Sequence, residues 1–230
     1  MRKRLSEIDA LRGLAVALMV VYHFLFDGMF MGLWELNLNH WILEFLGLFV
    51  RTSFLGLVGV SVVLSSRDFW GQFKRGAVII GMGAVITLAT LVVVPDMAIW
   101  FGILHFIGFS IPIARLFKGR PWLAAATAIF MAGLSVVIGG AMIDSSWLLW
   151  MGIPPVGFVS LDYFPLIPWL ALPLAGVTVG HWIYGKKQAT RMELLAKVPG
   201  LTWAGKRALA IYMIHQPVIL AGLWVYSQII

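Results

Sequence analysis

The sequence predicts an all-α integral membrane protein, one domain over residues 1–230 with about seven transmembrane helices around a polar path. Three observations carry this. Hydrophobic residues make up 61% of the chain and charged residues only 12%, a balance outside the range of water-soluble domains. Apolar stretches near the roughly 20 residues needed to cross a bilayer recur along the whole length. The charges sort between them: all but Arg12 and Arg51 of the 17 basic residues fall before the first stretch or in every second connection, the asymmetry that marks cytoplasmic loops.

The first stretch, Ile8 to Gly28, follows Arg2, Lys3 and Arg4. It imitates a secretory signal, but Arg12 interrupts it, it exceeds an h-region, and no small-residue cleavage site follows, so it reads as a retained helix. Ser6 to Asp9 is a helix-start pattern. The second stretch, Trp41 to Ser65, is followed by Arg67, Lys74 and Arg75. The third and fourth, Gly76 to Val94 and Ala98 to Phe117, are separated by Pro95-Asp96-Met97, and Arg115, Lys118 and Arg120 mark the far end of the fourth. The fifth is Pro121 to Ile143. The sixth, Phe164 to Gly185, contains FPLIPWLALP, whose prolines kink or interrupt a backbone that must then face protein or a cavity. Lys186, Lys187, Arg191, Lys197, Lys206 and Arg207 precede or open the seventh, Arg207 to Ile230. The positive-inside rule makes the N-terminus cytoplasmic, and an odd number of spans makes the C-terminus extracytoplasmic. The net charge of +7 then belongs to cytoplasmic loops and not to a nucleic-acid surface. Most of the 11 Trp suit an interfacial belt, and the absence of cysteine removes thiolate and disulfide chemistry.

Within the first stretch Asp9, Arg12, Val16, Met19, His23 and Asp27 follow at steps of three or four residues and share one helical face. A charge at membrane depth costs at least about 2.5 kcal/mol, so such residues turn to the interior and mark functional paths. His23 and Asp27 are one turn apart, a spacing that lets a carboxylate hold an imidazole in one tautomer and raise its basicity; the bland alternative is a polar contact to another helix. Asp9 and Arg12 fit a local salt bridge. Arg51 requires Glu44, Asp27 or an anionic ligand as partner. His40 opens the second stretch at the outer surface, while His105 and His215 lie mid-span, where helix-to-helix hydrogen bonding explains them as well as catalysis does. Arg67, Lys74, Arg75, Arg115 and Lys118 share one membrane side, where a phosphorylated cytosolic donor first meets the protein. No Walker loop, dinucleotide fingerprint or zinc-ligand spacing occurs, so ATP hydrolysis, redox chemistry and a metal site find no support.

EIDALRGLAVALMVVYHFLFD, FGILHFIGFS, DYFPLIPWLALPLAGVTVG and AGKRALAIYMIHQPV, in this order, resemble the short prokaryotic branch of the heparan-alpha-glucosaminide N-acetyltransferase family of transmembrane acyltransferases, over nearly the whole chain. The resemblance implies a multi-pass enzyme of a prokaryotic cytoplasmic membrane that takes an acyl group from acetyl-CoA or another acyl-CoA and gives it to a small sugar or glycan on the other side. The animal enzyme has an asparagine where this chain has His23, and its proposed catalytic histidine lies in the following loop, where His40 is nearest. The base is therefore His23, oriented by Asp27, or else His40, with His105 and Asp162 as helpers. Arg12 and the cationic group Arg67, Lys74, Arg75, Arg115 and Lys118 are the residues expected to hold the donor. A homo-oligomer is compatible with the sequence. The competing reading is a proton- or ion-coupled transporter or channel in which the same buried His, Asp and Arg relay charge.

Overall fold

The computed structural model describes residues 5–34, 40–185 and 198–229. Among these, the regular elements are helices and no strand forms. They are α1 (Ser6–Phe30), α2 (His40–Leu64), α3 (Phe69–Val93), α4 (Ile103–Leu116), α5 (Pro121–Ile138), α6 (Leu166–Trp169), α7 (Ala171–Tyr184), α8 (Pro199–Lys206) and α9 (Ala208–Ser227). Among the described residues, six apolar helical segments are long enough to cross a membrane: α1, α2, α3, α5, α6 with α7, and α9. The interruption expected from the sixth-span prolines is present, at Ile167, whose backbone is extended. Arg2, Lys3, Arg4, Lys186, Lys187, Arg191 and Lys197 lie outside the described residues.

The fourth expected span differs. Its helix, α4, has 14 residues and rises only about 21 Å, less than a hydrocarbon core of about 30 Å. Hydropathy placed a span over Ala98 to Phe117 because it weighs side chains and is blind to the backbone, which is non-helical from Ala98 to Gly102. Irregular backbone survives in a membrane only when its polar groups find protein partners, and here they do. The Thr87 hydroxyl donates to the Ile99 carbonyl (2.5 Å), and the Thr90 hydroxyl accepts from the Ile99 N–H (3.0 Å). The Ser160 hydroxyl donates to the Ala98 carbonyl (3.0 Å). Leu161 and Phe164 N–H donate to the carbonyls of Met97 and Phe101 (3.0 and 2.8 Å). The Asp162 carboxylate accepts from the Ile103 N–H (2.8 Å) and so caps α4. Beside this segment, the Tyr163 hydroxyl donates to the Leu149 carbonyl (2.6 Å), and burial pushes its pKa up to about 12, which keeps the donor protonated.

The chain folds as two compact units, Met1–Phe54 with Thr190–Ile230, and Leu55–Ala189. In the first, α8 lies directly on the start of α1: a Cβ at Gly13 would overlap the Leu201 carbonyl, and one at Gly205 the Asp9 carbonyl. Further along α1, Val16 and Met19 form a core with Val50 of α2 and Ala208 of α9, flanked by Leu46, Ile211 and Tyr212. In the second unit α3 and α4 run antiparallel in backbone contact, Gly76 against the Gly108 carbonyl and Gly83 against the ring of His105. Small residues are what allow helices in lipid to approach so closely.

Candidate active site

The face of α1 predicted to be polar is one face, but its two ends do different things. Near the start, Asp9 is buried and its Oδ1 accepts from Arg12 Nη1 at 2.9 Å, the local salt bridge expected from the spacing. The same nitrogen also reaches the Gly205 carbonyl at 3.5 Å. Arg12 therefore stitches α8 onto α1. The next two positions on the face, Val16 and Met19, are 1% and 6% exposed and sit in the apolar core. Along α1 the predicted polar path is thus interrupted between Arg12 and His23. A proton or ion relay along this helix meets a dry segment there, which weighs against the transporter reading.

Beyond the core, α1 presents His23 and Asp27 to α9, which presents His215 and Gln216. The rings of His23 and His215 lie with centroids 5.0 Å apart and planes at 58°, each flanked by a tyrosine of its own helix, Tyr22 and Tyr212. Asp27 is buried, and its Oδ2 accepts from Gln216 Nε2 at 2.8 Å. No Asp27–His23 hydrogen bond forms among the described residues, so the carboxylate orients α9's amide and not the imidazole one turn before it. His215 is oriented by another route. Its Nδ1 lies 2.6 Å from the Tyr212 carbonyl oxygen, which can only accept, so Nδ1 carries the proton and Nε2 of the neutral ring holds a lone pair. That Nε2 is buried without a hydrogen-bond partner, as are His23 Nδ1 and Gln216 Oε1. Three orphaned polar atoms on two facing helices are costly, about 1–3 kcal/mol each, and concentrations of this kind mark sites.

The remaining candidates fall in two other groups, both in the second unit. His105 stands in the first turn of α4, stacked on Phe101 with ring centroids 6.0 Å apart, and its Nδ1 is buried without a partner. Asp162 caps the same turn. At the opposite end of α4, Arg115 Nε donates to the Arg67 carbonyl (3.2 Å) and Lys118 Nζ to the Ser65 carbonyl, while Lys74 and Arg75 lie in the second turn of α3. The five cations singled out by charge sorting are therefore at one end of the α3–α4 pair. In α2, Arg51 Nε donates to the Gly47 carbonyl (2.9 Å). His40 opens α2, and its side chain lies outside the described residues. Sequence reasoning missed Gln216 and the Tyr212 carbonyl, and it left His215 between helix-to-helix hydrogen bonding and catalysis; the dipeptide His215-Gln216 three residues after Tyr212 was the available signal, since that spacing puts all of them on adjoining turns.

The family described as heparan-alpha-glucosaminide N-acetyltransferase, catalytic, matches residues 4–217, a stretch that begins before Asp9 and ends just past Gln216. The chain belongs to this family. No curated protein and no solved structure matches it. Membership of the heparan-alpha-glucosaminide N-acetyltransferase family makes the reaction class that of a membrane acetyltransferase, and acyl transfer is chemistry that asks for a basic nitrogen shielded from bulk water.

Proposed function

We propose that the chain is an acyl-CoA-dependent membrane acyltransferase, taking an acetyl group from acetyl-CoA on the cytoplasmic side and giving it to an amine or hydroxyl of a small sugar or glycan on the other. The observation that carries this reading is the pair His23 and His215, with unpartnered ring nitrogens at the junction of α1 and α9 inside the matched region. Acetyl-CoA supplies a thioester already activated for attack. His215 Nε2, which holds the lone pair in the neutral tautomer that the Tyr212 carbonyl selects, receives the proton of the acceptor amine or hydroxyl. As that nitrogen or oxygen bonds to the acetyl carbon, the C–S bond breaks and the CoA thiolate leaves. His23 stands beside His215 with ring centroids 5.0 Å apart, and its own unpartnered Nδ1 offers the proton a second place, so the two imidazoles work as one unit. Asp27 holds Gln216 and thereby the pitch of α9 at the site. His105 and Asp162 enter as supports of the α4 break, Asp162 by capping it.

The cationic end of α3 and α4 suits the donor's phosphates, because Arg and Lys bind them with charge-assisted hydrogen bonds stronger than those they make to loop carbonyls. Arg12 contributes to folding through Asp9 and Gly205. In this proposal the termini follow the charge sorting, with the N-terminus and the cationic end cytoplasmic. Purified protein should bind acetyl-CoA and transfer its acetyl group to a small amino sugar or polyol. Folded protein that binds no acyl-CoA would remove the proposal.

A further inference from the structure

Gln72, in the first turns of α3, is 0% exposed, and neither its Nε2 nor its Oε1 has a hydrogen-bond partner. It belongs to the buried stripe of α3 that continues through Gly76, Ile79 and Gly83, the face that meets α4. Gly76 lies against Gly108 and Pro112, and Gly83 against His105. One turn before Gly76, this antiparallel register brings Gln72 to the last turn of α4, the turn that carries Arg115. A primary amide offers both a donor and an acceptor, and sealing it in protein with both unmet is among the costliest things a side chain can do. Among the described residues no group of the α3–α4 interface pairs with it. The position makes sense when the interface has a second state in which the amide is paired.

The neighbouring cations provide a way to reach that state. Arg115 and Lys118 tie the end of α4 to the connection between α2 and α3 through the carbonyls of Arg67 and Ser65. Neutral carbonyls are weaker acceptors than phosphate oxygens, so a phosphorylated ligand at this end competes for the same two side chains and loosens both ties.

We infer that Gln72 pairs with an amide of the acyl donor's pantetheine arm, uncovered when the donor's phosphates draw Arg115 and Lys118 from the α2–α3 connection. The match is chemical: a secondary amide presents one N–H and one C=O, the complement of what Gln72 leaves unmet. This rests on the acyl-CoA reading above and adds to it the residue that distinguishes CoA from its nucleotide alone.

The test measures binding of CoA and of adenosine 3′,5′-bisphosphate, which lacks the arm, to the full-length protein and to Gln72→Met. Loss of two neutral hydrogen bonds should weaken CoA by about 5- to 100-fold and weaken the bisphosphate, which uncovers the amide without pairing it to an arm, by clearly less. The variant without ligand should melt higher than the parent, because an unpaired buried amide is gone. Unchanged CoA affinity would overturn the role of Gln72 while the acyl-CoA reading stands, and equal losses for both ligands would overturn it too. A parent protein that binds neither ligand would remove the acyl-CoA reading and this inference together. If Gln72→Met does not fold, CoA analogues with each pantetheine amide in turn replaced by an ester test the parent directly: one of them must bind correspondingly weaker than CoA, and equal binding by all sinks the proposal.

Discussion

The helix pair α1–α9 and the helix pair α3–α4 each hold a histidine with a buried ring nitrogen, and each carries polar side chains along the contact. In α3–α4 nearly all the polar groups near the break are spent on backbone. Thr87, Thr90, Ser160 and Asp162 each satisfy a carbonyl or N–H that the shortened helix leaves open. In α1–α9 the break is smaller: Pro217 removes one N–H from the ladder of α9 and His215 Nδ1 bonds the Tyr212 carbonyl, yet His23, His215 and Gln216 each still keep a buried polar atom unpaired. The comparison separates two reasons for a polar residue at membrane depth: one kind restores hydrogen bonds lost to irregular backbone, the other is held ready for a molecule that is not part of the fold. Gln72 belongs with the second kind although it sits on the first pair.

The widest gap between the two pairs should appear in turnover. His23→Ala and His215→Ala should each lower the rate by about 10² to 10⁴ with acyl-CoA binding retained, and the double variant should be hardly worse than the poorer single one, as for residues acting as a unit. Additive losses in the single-turnover rate would show two independent roles. Asp162→Ala should act on the fold instead: losing the cap of α4 and leaving the Ile103 N–H unmet costs about 1–3 kcal/mol, read as a lower melting temperature, while the rate per folded molecule holds. A near-normal melting point with a dead enzyme would move Asp162 into the chemistry. Gly205→Ala pushes a methyl into the Asp9 carbonyl, and overpacking of this kind costs about 1–3 kcal/mol. It should loosen α8 and with it the Arg12 bridge, visible as faster proteolysis near Lys206 with little change at the histidines. His40→Ala should have the smallest effect, less than about tenfold in rate; a larger loss than His23→Ala gives would transfer the role of base to the start of α2.

Much of this was readable before the fold was known. Periodicity alone put Asp9, Arg12, His23 and Asp27 on one face of α1, and charge sorting alone gathered Arg67, Lys74, Arg75, Arg115 and Lys118, because both signals are local and additive along a helix. What escaped was tertiary. Asp27 finds its partner 189 residues away, in Gln216, and spacing within α1 favours the nearer His23. Val16 and Met19 lie on that same face, and their partners Val50 and Ala208, supplied by other helices, make this part of it core. The α4 break escaped because Ala98, Ile99 and Phe101 are as apolar as any helix, and the threonines and serine that hold their backbone lie on α3 and in the segment before α6.

A membrane barrier is weakened by a wet row of ionisable groups running through it. On α1 the charged pair at one end and the imidazoles further on are separated by about 16 Å of helix rise, and in that interval Val16 and Met19 pack against Val50 and Ala208. Water has no foothold among these four side chains, and a proton has no donor or acceptor on which to pause. The helix can therefore bear titratable groups at both ends without becoming a wire, and two neighbouring imidazoles can lie within the bilayer while the bilayer stays an insulator along that line.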